Sequence, residues 1–310
     1  MNSSLLLFIF MVLISPIISL SSVDWVISWL GMEVGMFGLI PLLLFKSSSK
    51  ESAMKYFLIQ SLSSALMLIS GIFLFEILFS IEFYNLLFLL SMSIKLGFFP
   101  GHFWVISIIE NLSVLSNTFV LGPLKIAPFG FLSLVISNNN NMLMILGLFS
   151  VIVGAMLGFN QTNIRAMLGA SSISHSGWII MSLCFGFMWY YLMSYILILM
   201  ITFISMKNFE FFTSLICIIS LSGLPPFLMF ILKMKVLYFL LLSLEYLILF
   251  ILIVSSVISL YYYLKFFYSI YLNQKKFSST LMFIIFSLLN FLGISLVVCL
   301  FFESWMAMNF

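Results

Sequence analysis

The chain reads as a succession of apolar stretches, most of them close to twenty residues long, separated by brief polar breaks. About twenty apolar residues, rising ~1.5 Å each, cross a hydrocarbon layer of about 30 Å, so each stretch predicts a transmembrane α-helix. A transmembrane barrel would instead show segments of roughly ten residues with alternating polarity. Splitting at the polar breaks gives about eleven spans, near 3–20, 23–45, 54–75, 82–106, 115–136, 142–158, 167–189, 190–206, 211–241, 245–270 and 281–302. Connections such as KSSSKES and SNNNN are too short to hold a soluble domain. The expected fold is therefore all-α, a polytopic membrane helix bundle forming one integral domain over 1–310. The opening stretch, MNSSLLLFIFMVLISPIISL, has none of the Arg-rich amphipathic character of a mitochondrial transit peptide and reads as the first span. That fits synthesis inside the organelle or in a bacterium.

Composition sharpens this picture. Of 310 residues, 64% are hydrophobic and 7% are charged, against about 25% charged in a soluble domain. So little polar surface cannot cover a globule in water. A net charge of +3 gives no footprint for nucleic acid, and membrane lipid is the expected neighbour. Cys184, Cys217 and Cys299 stand alone in apolar stretches, with no C-x-x-C pair to hold zinc or an iron–sulfur cluster. Neither G-x-G-x-x-G nor a P-loop pattern occurs. No cofactor, metal or soluble small-molecule substrate is expected on this chain.

The position of the charges is more informative than their sum. With the N-terminus defining one face, that face receives Lys46, Lys50, Lys55, Arg165, Lys207, Lys265, Lys275 and Lys276, with Glu51, Glu110 and Glu210. The other receives Asp24, Glu76, Glu82, Glu245 and Glu303 and no base. The positive-inside rule puts the basic face in the matrix or cytoplasm and the C-terminus opposite.

Glu33, Lys95, Lys125, Lys233 and Lys235 remain within the spans. Each such charge costs about 2.5–3.5 kcal/mol on insertion scales, and its default explanation is an ion pathway. Structural salt bridges are the alternative, but four bases and one acid cannot neutralise one another. Lys235 fits a snorkelling side chain. Glu33 sits between Gly31 and Gly35 in WLGMEVGMFGLIPLL, a small-xxx-small spacing that admits a close helix. It is open whether this carboxyl is charged beside a lysine or neutral in a packed interface.

Two spans carry helix-breaking residues in mid-membrane. The fourth contains KLGFFPGHFW, with Gly97, Pro100 and Gly101 just after Lys95; the ninth contains LSGLPPFLMFILK, with Gly223, Pro225 and Pro226 before Lys233. A harmless kink explains either alone. Together they suggest two inverted five-helix repeats, near 3–136 and 142–270, with an extra helix near 281–302. On that arrangement Lys95 and Lys233 fall in the same half of the membrane, opposite the basic face.

The segments WLGMEVGMFGLIPLL, ESAMKYFLIQ, KLGFFPGHFW, GPLKIAPF, NQTNIRAMLGASSISHSGW, LSGLPPFLMFILK and SLYYYLKFFYSIYL occur in the order found in the antiporter-like subunits of respiratory complex I, which the chain resembles from Trp29 to Leu272. It departs from the family at Gly101, Ala166, Met229 and Leu232. The resemblance implies a proton path through Glu33, Lys95, Lys125 and Lys233, with His175 between the last two. On residues alone, His175 among serines also reads as a satisfied core histidine, and His102 as a structural one. The resemblance further implies a mitochondrial inner-membrane location and other membrane-arm subunits as partners. NADH, FMN, iron–sulfur clusters and ubiquinone are then expected on partner subunits of the complex. A multisubunit cation/proton antiporter and a purely structural scaffold are the rival functions.

Overall fold

The computed structural model describes residues 3–46, 50–76, 82–134, 136–208, 210–225 and 227–272, with Ser287 and Asn290. The eleventh span, Pro226 and Cys299 lie wholly or almost wholly outside the described residues. All secondary structure among the described residues is helical. Six helices there are long and apolar enough to cross a membrane, which agrees with a membrane helix bundle.

The chain divides into two compact units, Met1–Gly186 and Phe187–Phe310. The first holds α1 (Ser3–Ser21), α2 (Trp25–Lys46), α3 (Lys50–Gly71, ending in a π-helical turn Ile72–Glu76) and α4 (Glu82–Leu96). It continues with α5 (Phe103–Ile109), α6 (Val114–Leu121), a 3-10 turn (Pro123–Lys125), α7 (Ile126–Leu134), α8 (Ile136–Phe159) and α9 (Ile164–Cys184). The second holds α10 (Met188–Lys207), α11 (Phe211–Ser222), α12 (Leu228–Leu242) and α13 (Tyr246–Leu272).

Small residues decide where backbones approach within the first unit. Gly31, Gly35 and Gly38 form one stripe on α2, and that stripe lies on α1. A Cβ added at Gly31 would sit 2.8 Å from the Ser19 nitrogen, and one at Gly35 would collide with Ser15. The small-xxx-small spacing thus serves the α1–α2 contact and leaves Glu33, between the two glycines in sequence, for another face of α2. Trp29 donates its indole N–H to the Ser64 carbonyl at 3.0 Å, pinning α2 to α3.

At the heart of the unit is α9, where every residue from Ala166 to Leu183 is buried. Because protein rather than lipid surrounds it, this helix tolerates a serine-rich sequence that a lipid-facing span would not. Ser171, Ser172, Ser174 and Ser176 each donate to the carbonyl three residues earlier. Helix α8 closes on it through Gly154, where a side chain would strike the α9 backbone at Ser174, and through Gly147, where one would crowd Ile180 and Met181.

The second unit packs α11 among α10, α12 and α13. Tyr191 and Tyr195 of α10 and Tyr262 and Tyr263 of α13 are fully buried or nearly so. Leu247, Phe250, Val254, Val257 and Tyr261 of α13 are exposed and form an apolar outer face suited to lipid.

Candidate functional site

The fourth span breaks where its sequence predicts. Helix α4 stops at Leu96 because Gly97 turns to φ +75°, a conformation that costs glycine nothing. The chain then crosses the Phe99–Pro100 cis bond and restarts at Phe103. Lys95 is thereby placed on the last turn before the break. Its ammonium lies 3.4 Å from Glu33 Oε1 on α2, and the two side chains are only 9% and 8% exposed. A charge-assisted bond normally measures about 2.7–2.9 Å, and this buried ion pair is longer than that. In contrast, the exposed Glu51–Lys55 pair closes to 2.7 Å one turn apart on α3, where water and salt screen it.

The fifth span is interrupted as well, at Gly122 and Pro123. Helix α6 ends at Gly122, a 3-10 turn carries Pro123 to Lys125, and α7 follows. Lys125 sits in that turn, 4% exposed, with its ammonium 3.5 Å from the Ser172 carbonyl of α9. His175, 1% exposed, is one helical turn beyond Ser172 on the same face of α9.

Lys95 and Lys125 share a cavity of about 30 Å³, whose polar lining includes Ser15, Tyr56, Gln60 and Trp104. At roughly 10–15 Å³ per water, that space holds about two molecules. The structure thus brings Glu33, Lys95 and Lys125 to one buried locus in the first unit, with His175 alongside through α9.

Lys233 belongs to the second unit. Helix α11 ends at Gly223, which adopts φ +79° as a left-handed cap. Lys233, on the second turn of α12 and 6% exposed, reaches back to donate to the Ser222 carbonyl at 2.9 Å. It therefore occupies the negative end of the α11 dipole. Lys235 is also buried, at 9% exposed, with its ammonium 5.1 Å from the Phe187 ring centre. It meets an aromatic face at a distance that stabilises a cation.

Two residues at the first break escaped sequence reasoning. Gln60 of α3 donates its amide to the Lys95 carbonyl at 3.3 Å, and Trp104 donates its indole N–H to the Ile94 carbonyl at 2.8 Å. Gln60 had a signal: it is the one amide in the otherwise apolar run from Phe57 to Leu68 apart from small serines. Among the described residues no group of three or more potential metal-ligating side chains converges. Of the cysteines, Cys217 is buried and Cys184 half-buried.

Comparison with known proteins places these features in context. A family model described as NADH:quinone oxidoreductase/Mrp antiporter, TM, matches residues 22–215. NADH-ubiquinone oxidoreductase chain 2 of Albinaria caerulea is 37% identical over 272 residues, covering 86% of this chain and 89% of that protein. The protein of the same name in Locusta migratoria is 31% identical, covering 85% of this chain and 84% of its own length. A chain of respiratory complex I from Thermus thermophilus shares the fold, with a TM-score of 0.82 at 20% identity over 94% of this chain and 78% of that one.

Proposed function

Because the chain belongs to the NADH:quinone oxidoreductase/Mrp antiporter family of membrane subunits, we propose that it is a proton-translocating membrane-arm subunit of NADH:ubiquinone oxidoreductase. It resides in the inner membrane as a multi-pass protein beside other membrane-arm subunits. NADH oxidation and quinone reduction, with their FMN and iron–sulfur chemistry, belong to other subunits of the complex. The observation that carries this function is the buried Glu33–Lys95 pair, whose lysine lines a cavity shared with Lys125.

The proton steps follow from desolvation. A buried ammonium is disfavoured, and a neighbouring carboxylate restores it. Drawing Glu33 away from Lys95 therefore loosens a proton, which cavity water passes to Lys125. His175 carries it on, and Lys233 performs the corresponding step in the second unit. Release on the acidic face and refilling from the basic face close the cycle. Moving one charge against 100 mV requires about 2.3 kcal/mol. A change of roughly two pKa units in a carrier corresponds to about 2.7 kcal/mol, so one switching carrier suffices.

Lys125 gives the direct test. Lys125→Met should assemble with the complex yet lose proton transfer through this subunit and slow coupled quinone reduction. Lys125→Arg should fail too, because guanidinium keeps its proton. Full activity in the arginine variant would reduce position 125 to a fixed charge and end the relay assignment. The Mrp half of the family supplies the second function, cation/proton antiport; cation-dependent transport by this subunit would favour it.

The finer architecture is eleven spans as two inverted five-helix repeats plus one helix, with the N-terminus on the matrix side. Both breaks and the charge asymmetry support it. Tags on the two ends should label from opposite faces of sealed vesicles, and labelling from one face would refute the odd count.

A further inference from the structure

We propose that Gln60 is a positioning residue: by occupying the carbonyl exposed at the break in the fourth span, it keeps the Lys95 ammonium directed to Glu33 and the cavity. A helix that stops inside a membrane leaves its last carbonyls without N–H partners, and lipid cannot supply them. At the end of α4 three of these carbonyls are met in succession. Ser93 accepts from the Gly97 N–H at 2.9 Å, Ile94 from the Trp104 indole at 2.8 Å, and Lys95 from the Gln60 amide at 3.3 Å.

The end of α11 meets the same need differently. There the lysine itself takes a carbonyl, that of Ser222, at 2.9 Å. A bare carbonyl beside Lys95 would likewise compete with Glu33 for the ammonium, or draw the cavity water that links it to Lys125. Gln60 removes the competitor. Its amide is neutral and never titrates, so it satisfies the carbonyl without altering the charge of the Glu33–Lys95 pair. It is 4% exposed and lines the cavity between the two lysines, so its donor is committed at the place where the pair opens.

This inference rests on Glu33 and Lys95 acting as a proton-carrying pair. Its test uses the intact assembled complex in sealed vesicles, carrying Gln60→Met, Glu33→Gln or both, with proton uptake and quinone reduction followed across pH. Gln60→Met keeps the side-chain length and removes the donor. It should assemble, lose coupled rate roughly ten-fold, on the scale of a small misplacement at a reacting group, and change the pH profile. In the Glu33→Gln background the same substitution should add little, because no pair remains to be held.

An unchanged pH profile and rate, losses that multiply independently with Glu33→Gln, or activity falling only in proportion to assembled complex would each overturn the proposal. Gln60→Asn retracts the amide by one methylene while keeping its chemistry, and should show the same change of profile in weaker form. Should the methionine variant not assemble, a normal profile in Gln60→Asn overturns it equally. Normal pumping by Glu33→Gln would remove the pair itself, whereas a silent Gln60→Met beside a defective Glu33→Gln removes only the role of Gln60.

Discussion

The fourth and ninth spans of this protein both break, and they treat their lysines in opposite ways. In the first unit Lys95 precedes the break and faces a carboxylate on another helix, while other side chains cap the free carbonyls. In the second, Lys233 follows the break and binds the carbonyl of Ser222 directly. On the proposed function, Lys95 answers to a carboxylate that a separate helix can move or protonate, whereas Lys233 sits at a helix terminus, which is a fixed dipole.

The largest effect that would break this contrast is at Glu33. Glu33→Gln should assemble normally and lose most proton-coupled turnover, while Glu33→Asp, retaining the charge at shorter reach, should be milder. Proton uptake by both variants at wild-type rates would make Glu33 a packing residue and leave the two lysines alike. A smaller effect is expected from Trp104→Phe, which keeps the ring and removes the donor to Ile94. An orphaned buried carbonyl costs about 1–3 kcal/mol, measurable as earlier thermal dissociation of the complex; unchanged stability would mean that the carbonyl finds water instead. Gly223→Ala should cost about 1–2 kcal/mol for its left-handed backbone. It should also disturb Lys233, whose Cδ and Nζ lie 3.1 Å from the added methyl. Normal stability with altered turnover would sharpen the case that the cap positions this lysine.

Sequence alone carried the class of fold and the places where the spans break, because lipid punishes charge and free backbone wherever they occur. Lys95, Lys125 and Lys233 stood out for the first reason, Gly97 and Gly223 for the second, and both glycines do adopt positive φ. Partners at a distance were not legible. Nothing near Gln60 in sequence connects it to the Lys95 carbonyl, and the prolines flanking Lys125 do not announce the Ser172 carbonyl that its ammonium meets. Counting helices assigns α8 and α9 to a second set of five, yet both lie within the first compact unit. Symmetry of sequence order and closeness of packing are separate properties, and only the first can be counted along a chain. The eleventh span lies almost wholly outside the described residues and stays an expectation from hydrophobicity.

The serines of α9 carry one more consequence. Each of Ser171, Ser172, Ser174 and Ser176 has spent its single hydrogen on a backbone carbonyl, so toward its surroundings each hydroxyl can only accept. A wire that conducts by handing hydrogens from one hydroxyl to the next would stall on such a helix. An excess proton travelling as a solvated cation would find there a row of oxygen lone pairs. On the proposed function, any exchange of a proton along this helix therefore falls to His175, and its serines can only solvate the charge.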